Sequence, residues 1–162
     1  MTGQTTRQIN LRFADERDVD ALVRFNQAMA HETEAKQLAS DVLTAGVRNL
    51  LKNSQYGFYV VAEYNSADGQ REVVGSLMVT YEWSDWRDGL FWWIQSVYVE
   101  PDFRRRGVYR QLYDFVKTSA AEQNVCGFRL YVEQENTAAQ RTYERLGMTE
   151  THYKMYEELC ES

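Results

Sequence analysis

The chain reads as an α/β (α+β) protein in which a mixed sheet is flanked by helices. Three observations predict this. Stretches with strand patterning alternate with stretches whose apolar residues recur at helical spacing. The early strands are joined by tight turns and so pair as hairpins. The late strands are separated by helices, as βαβ crossovers require. No internal repeat, linker or low-complexity stretch interrupts the 162 residues, so 1–162 is expected to be a single domain able to bury its own core.

In order, residues 7–13 alternate polar and apolar and predict a half-buried strand. Asp15 then caps a helix with Val19, Leu22, Val23 and Met29 on one stripe. Ser40 is the expected cap of a second helix, which carries Leu43, Val47, Leu50 and Leu51. Residues 57–64 are rich in β-branched and aromatic types and predict a strand. The turn at Asn65–Gly69 returns the chain into a strand over 73–82. A second turn, Ser84–Gly89, leads to a long aromatic strand over 90–99. A helix over about 107–123 and a strand over 127–133 follow. Asn136 caps a helix to Leu146, with Gly147 as its left-handed stop, and 149–156 is the last expected strand.

Hydrophobic residues at 44% and aromatics at 14% suit a globular protein. A net charge of −6 argues against nucleic acid or an anionic membrane as partner of the whole surface. No apolar run approaches the ~18 residues of a membrane span, and Met1–Thr6 lacks a secretory h-region, so a cytoplasmic protein is expected. Cys126 and Cys160 are far apart and without metal-ligand spacing, read as a small buried residue and a C-terminal bystander. No metal site is expected.

Against that acidic background, three arginines stand together. The stretch Val97-Tyr-Val-Glu-Pro-Asp-Phe-Arg-Arg-Arg-Gly-Val-Tyr-Arg-Gln-Leu-Tyr113 reads as a buried strand, a turn at Pro101, an arginine run, one glycine and a helix with Val108, Leu112, Phe115 and Val116 on its apolar face. A glycine before a helix lets backbone N–H groups approach a ligand, and the helix N-terminus adds unpaired donors and partial positive charge. Taken alone, such a run is usually a solvated loop. Its place between a buried strand and a helix start points instead to a cradle for a diphosphate.

Arg104-x-x-Gly107-x-Tyr109 resembles the Q/R-x-x-G-x-G/A pyrophosphate signature of the GNAT superfamily of acyl-CoA-dependent N-acetyltransferases, with Tyr109 replacing a small residue. Asn136-Thr-Ala-Ala139-Gln-Arg-Thr-Tyr143-Glu-Arg-Leu-Gly147-Met148 resembles the family's N-x-x-A-x-x-x-Y-x-x-x-G-F segment, with Met148 in place of Phe. The resemblance covers nearly the whole chain. It implies about six to seven strands flanked by about four helices, splayed between the fourth and fifth strands. It also implies acetyl-CoA as cosubstrate. The backbone of Val97, Tyr98 and Val99 would pair with the pantetheine amides and meet the oxyanion. The diphosphate would lie on Arg104, Arg105, Arg106, Gly107, Val108, Tyr109 and Arg110. Asn136 would contact the cofactor, and Tyr143 would act on the leaving thiol.

That last role has a chemical basis. A thiolate of pKa about 8.5 leaves more readily when protonated, and a neutral tyrosine of pKa about 10 can supply the proton. The general base is open. The position often held by an acid in the family is Gln95, which accepts no proton, so Glu82, Asp85, Asp88 or Glu133 could act through water, or the amine could arrive deprotonated.

For the acceptor, Glu82, Trp83, Asp85 and Trp86 place acids and aromatic faces near the same strand, with Gln95 on it and Glu32 ending the first helix beside His31. This stretch resembles that of the diamine and polyamine acetyltransferases, spermidine/spermine N-acetyltransferase among them, and implies a small cationic amine. Two bland readings stand beside it: a buried tryptophan corner, or a homodimer contact. A protein lysine or N-terminal acetyltransferase and a non-catalytic CoA-binding sensor are the competing functions.

Overall fold

In the computed structural model the described residues are 8–161, so Arg7 and the Met1–Thr6 stretch lie outside them. The elements are β1 (Ile9–Phe13), α1 (Val19–Glu34), α2 (Ser40–Lys52), β2 (Gly57–Asn65), β3 (Arg71–Ser84), β4 (Gly89–Val99), α3 (Val108–Ala120), β5 (Val125–Arg129) and α4 (Thr137–Arg145). They fall into two compact units, one ending at Leu130 and the other beginning at Tyr131.

In the first unit the strands lie in the order β1-β2-β3-β4-β5, antiparallel except for the parallel β4–β5 pair, so the sheet is mixed as predicted. One face carries α1 and α2 over Val19, Leu22, Val47, Leu50, Tyr59 and Val61. On the other, α3 buries Val108, Leu112 and Val116, each worth about 1.5–3 kcal/mol when removed from water. Beside them Trp92 meets Phe58 and Phe128 edge-on. At Gly75 a Cβ would come within 3.2 Å of the Tyr98 carbonyl and 3.4 Å of Val108, so glycine lets α3 lie close against β3.

The start of α1 is held from two directions. Asp15 accepts from the Arg17 amide at 2.9 Å, Asp18 accepts from the Asp15 amide at 2.9 Å, and a 3-10 turn over Glu16–Asp18 runs straight into the helix. Arg12 of β1 then bridges the buried Asp18, at 2.8 Å, and Glu63 of β2, at 3.0 Å.

The departures from expectation have physical causes. The cap of α2 is Ala39, not Ser40: Ala39 is extended, its carbonyl takes the Leu43 amide at 2.9 Å, and Ser40 already lies inside the helix. β5 ends at Arg129 because its ladder ends there, opposite Trp93. Residues 149–156 form no strand. Their alternating pattern has no ladder partner, and Tyr153, Met155 and Tyr156 are exposed. The described sheet therefore has five strands, not six to seven. Cys126 is exposed on β5 rather than buried. No helix among the described residues is long and apolar enough to cross a membrane.

Candidate active site

A strand whose neighbours are complete has no backbone donors to give to a ligand. β4 is complete only in its first half. β5 pairs with Leu90–Trp93 and no further. On the other side, Ser76 faces Tyr98 while Met78 faces Gln95, so one β3 residue, Leu77, opposes two of β4, Ser96 and Val97. This bulge turns Ser96 to φ 50, in the left-handed region. From Ile94 to Val99 the side of β4 that would face β5 carries no ladder, and this stretch includes Val97–Val99, the residues expected to pair with pantetheine. The end of β4–β5 pairing at Trp93 agrees with the expected splay between the fourth and fifth strands. Nothing in the strand pattern signalled the bulge, because no glycine, asparagine or aspartate marks the left-handed position 96.

Beyond Val99, a 3-10 turn over Pro101–Phe103 leads to Arg104 in extended conformation, Arg105 at φ 63 and Gly107 at φ 78. Left-handed residues in such a turn aim successive N–H groups toward a shared concavity that suits an anion. Gly107 has no side chain with which to cap α3, and the first turn contains no acidic residue. Nothing lies within 4 Å of where its Cβ would be, so the glycine is required by backbone angle and the space above it is open. Tyr109 turns its ring onto Tyr113, at a centroid distance of 6.3 Å, which takes the bulk along the helix. This accounts for the departure from the small residue of the signature.

The four arginines of the run and the first turn of α3 have different surroundings. Arg105 and Arg110 are exposed, and Arg106 lies over the Phe103 ring at 5.6 Å. Arg104 is engaged: Nε donates to the Val99 carbonyl at 2.8 Å, and Nη2 donates to both carboxylate oxygens of Glu32, at 2.9 and 3.2 Å. Glu32, expected at the acceptor groove, is thus tied to the anion loop.

The other expected acceptor residues are not gathered in one place. By register, Thr80, Glu82, Phe91, Trp93 and Gln95 share one sheet face. There Gln95 donates to Thr80 at 2.7 Å, Glu82 is ion-paired to Arg129, and the Arg129 guanidinium lies 3.6 Å from the Phe91 centroid. Trp83 and Trp86 stand at the β3–β4 hairpin tip, 57% and 87% exposed, with Asp85 and Asp88 in the turn between the strands. Eight residues of strand separate Gly89 from Val97, roughly 26 Å. Trp83, Asp85 and Trp86 therefore lie at the opposite end of β4 from the strand they were expected to border, and their exposure rules out a buried corner.

In the second unit Asn136 caps α4 by accepting the Ala139 amide at 3.2 Å, and Gly147, at φ 96, ends the helix as predicted. Burial pushes the Tyr143 phenol up, so it stays protonated well beyond neutral pH.

The acetyltransferase (GNAT) family profile matches residues 20–148. The chain belongs to this family. A possible acetyltransferase from Clostridium difficile 630 is 44% identical over 96% of this chain and 99% of that one, with a TM-score of 0.86. Two less similar structures share the fold. A predicted acetyltransferase with acetyl-CoA from Clostridium acetobutylicum is 20% identical, covering 93% of this chain and 96% of its own, with a TM-score of 0.74. AAC(6')-Iy in complex with the bisubstrate analogue CoA-S-monomethyl-acetylneamine is 18% identical, covering 94% and 99%, with a TM-score of 0.71. No curated protein matches the chain. As a GNAT acetyltransferase the protein uses acetyl-CoA as cosubstrate. The uncapped start of α3, with open space above Gly107 and arginines around it, fits the diphosphate of that molecule.

Proposed function

We propose that the protein is an N-acetyltransferase that moves the acetyl group of acetyl-CoA to a primary amine of a small molecule by direct attack. We also propose that the whole chain works as one domain, which the family match across the Leu130–Tyr131 boundary supports. The observation that carries the reading is the pairing of an uncapped helix start at Gly107 with the unpaired half of β4 that leads into it.

The backbone amides around Gly107, with Arg105, Arg106 and Arg110, hold the diphosphate. The amides of Val97–Val99 hold the pantetheine, and one of them meets the oxyanion that develops on the thioester carbonyl. As the amine adds, the carbon–sulfur bond breaks, Tyr143 donates its phenolic proton to the leaving sulfur, and the proton that the amine nitrogen sheds after addition passes through solvent to restore the phenol. Gln95 donates to Thr80 and takes no proton, while the Glu82 carboxylate is held by Arg129. An amine that arrives unprotonated requires neither.

A small cationic amine remains the proposed acceptor, on the acidic character of the chain. With Trp83, Asp85 and Trp86 at the far end of β4 from Val97, the hairpin lends this proposal no support, and no polyamine type is proposed. A panel of mono-, di- and polyamines, amino acids and lysine peptides, read by thiol release, tests the reading. Turnover of small amines with peptides untouched is expected. Labelling of peptides alone would make it a protein acetyltransferase, and acetyl-CoA binding without thiol release to any acceptor would make it a sensor.

A further inference from the structure

We infer that Glu32 and Arg104 form a positioning clasp, and that Arg104, although first in the arginine run, holds the anion loop in place rather than contacting phosphate. This rests on the reading of that loop as the acetyl-CoA cradle. The argument starts from where the guanidinium is spent. Nε is committed to the Val99 carbonyl, the last residue of β4, and Nη2 to both oxygens of Glu32 in the final turn of α1. Its plane also lies over the Tyr98 ring, 5.4 Å from the centroid. Tyr98 is buried, stacks on Phe25 of α1 at 5.0 Å, and turns its hydroxyl toward Glu32 at 3.4 Å.

Arg104 thus joins three pieces of backbone: the end of α1, the end of β4 and the loop. A second ion pair, Arg24 to Glu100 at 3.5 Å, repeats the link between α1 and the strand exit. Phe25 and Glu32 are seven residues apart, two turns of helix, so a single α1 face serves the whole arrangement. The loop beyond contains left-handed Arg105 and Gly107 and is anchored just upstream by these contacts. Positive charge for an anion is left to Arg105, Arg106 and Arg110.

Arginine and lysine separate this role from a phosphate contact. A lysine serves a phosphate as a point charge, but one ammonium group cannot hold the Val99 carbonyl, span the Glu32 carboxylate and stack on Tyr98 together. The experiment measures acetyl-CoA affinity by calorimetry, and KM for both substrates, in the full chain carrying Glu32→Gln, Arg104→Gln, Arg104→Lys and the Glu32→Gln/Arg104→Gln pair. Each single variant should weaken acetyl-CoA about threefold, the scale of a half-exposed ion pair. The double variant should be no worse than the worse single one, lysine should not rescue, and KM for the amine should not move. The clasp is overturned if Arg104→Lys binds like the wild type while Arg104→Gln does not, if Glu32→Gln tightens acetyl-CoA binding, or if Glu32→Gln raises only the KM of the amine. The same cycle followed by urea unfolding reads the coupling without acetyl-CoA, and additive losses there overturn it too. Wild-type protein that gives no heat with acetyl-CoA would instead defeat the cradle reading while leaving that unfolding cycle to judge the clasp.

Discussion

Helices α3 and α4 both begin inside a motif of the family, yet they treat their free amides in opposite ways. α4 caps itself: the Asn136 side chain accepts the Ala139 amide, and the donors of that turn are partly used. α3 begins with a left-handed glycine, without a capping side chain or an acid in its first turn. A self-capped start holds the chain in place. An uncapped start among arginines leaves its donors without a side-chain cap, as the proposed diphosphate site requires. The two motifs therefore differ where their helices start, in keeping with the parts proposed for them, the first in binding and the second in chemistry at Tyr143.

Four substitutions would break or sharpen that contrast. The largest effect is expected from Tyr143→Phe, which should lower kcat about a hundredfold, the low end for loss of a general acid, with acetyl-CoA affinity nearly intact. Its phenol is raised by burial, so the proton is present through neutral pH and is lost only above the ordinary tyrosine value of about 10. A pH–rate profile of the wild type should thus show no tyrosine limb below pH 9, and equal turnover in the variant would remove Tyr143 from the mechanism. Gly107→Ala comes next. Nothing blocks the methyl group, so the penalty is about 1 kcal/mol of left-handed strain, and a loop relaxing away from it should bind acetyl-CoA about fivefold more weakly in calorimetry.

Asn136→Ala should act on stability instead. Loss of the cap costs about 1 kcal/mol in urea unfolding, with less than a twofold change in KM for acetyl-CoA. A larger rise in KM would restore the cofactor contact that the sequence implied and would erase the contrast between the two helix starts.

Smallest is Asp15→Asn, a control at a helix start remote from both motifs. Arg17 holds the exposed Asp15 carboxyl down at about 2. A depressed folded value means that the contribution is complete above the ordinary carboxylate range and fades as pH falls through about 2. The difference in Tm between wild type and Asp15→Asn should therefore be present at pH 6 and vanish toward pH 2. A difference that grew in acid would contradict the pairing.

Much of the fold was legible because it depends on local periodicity. The helical stripes of α1 and α2, the β2–β3 hairpin, Gly107 at the start of α3, the left-handed Gly147 and the Asn136 cap all lie where sequence spacing puts them. The strand expected over 149–156 shows the limit of such reasoning: alternation makes a segment able to pair, but only a neighbour makes it a strand. The acceptor residues are scattered for a related reason. Trp83, Asp85 and Trp86 are close to Gln95 in sequence count, yet an extended strand carries each residue about 3.3 Å further away.

The amino-acid sequence by itself pointed to the family and, through that resemblance, to the cosubstrate and to residues 104–110 as the proposed diphosphate loop, since the motifs that carry the resemblance are short and local. Tertiary structure alone decided the bulge at Ser96, the end of β4–β5 pairing at Trp93 and the engagement of Arg104 by Glu32. Those features depend on which backbone lies next to which. Glu32 and Arg104 are remote along the chain and meet because α1 lies across the end of β4, a relation that no local pattern encodes.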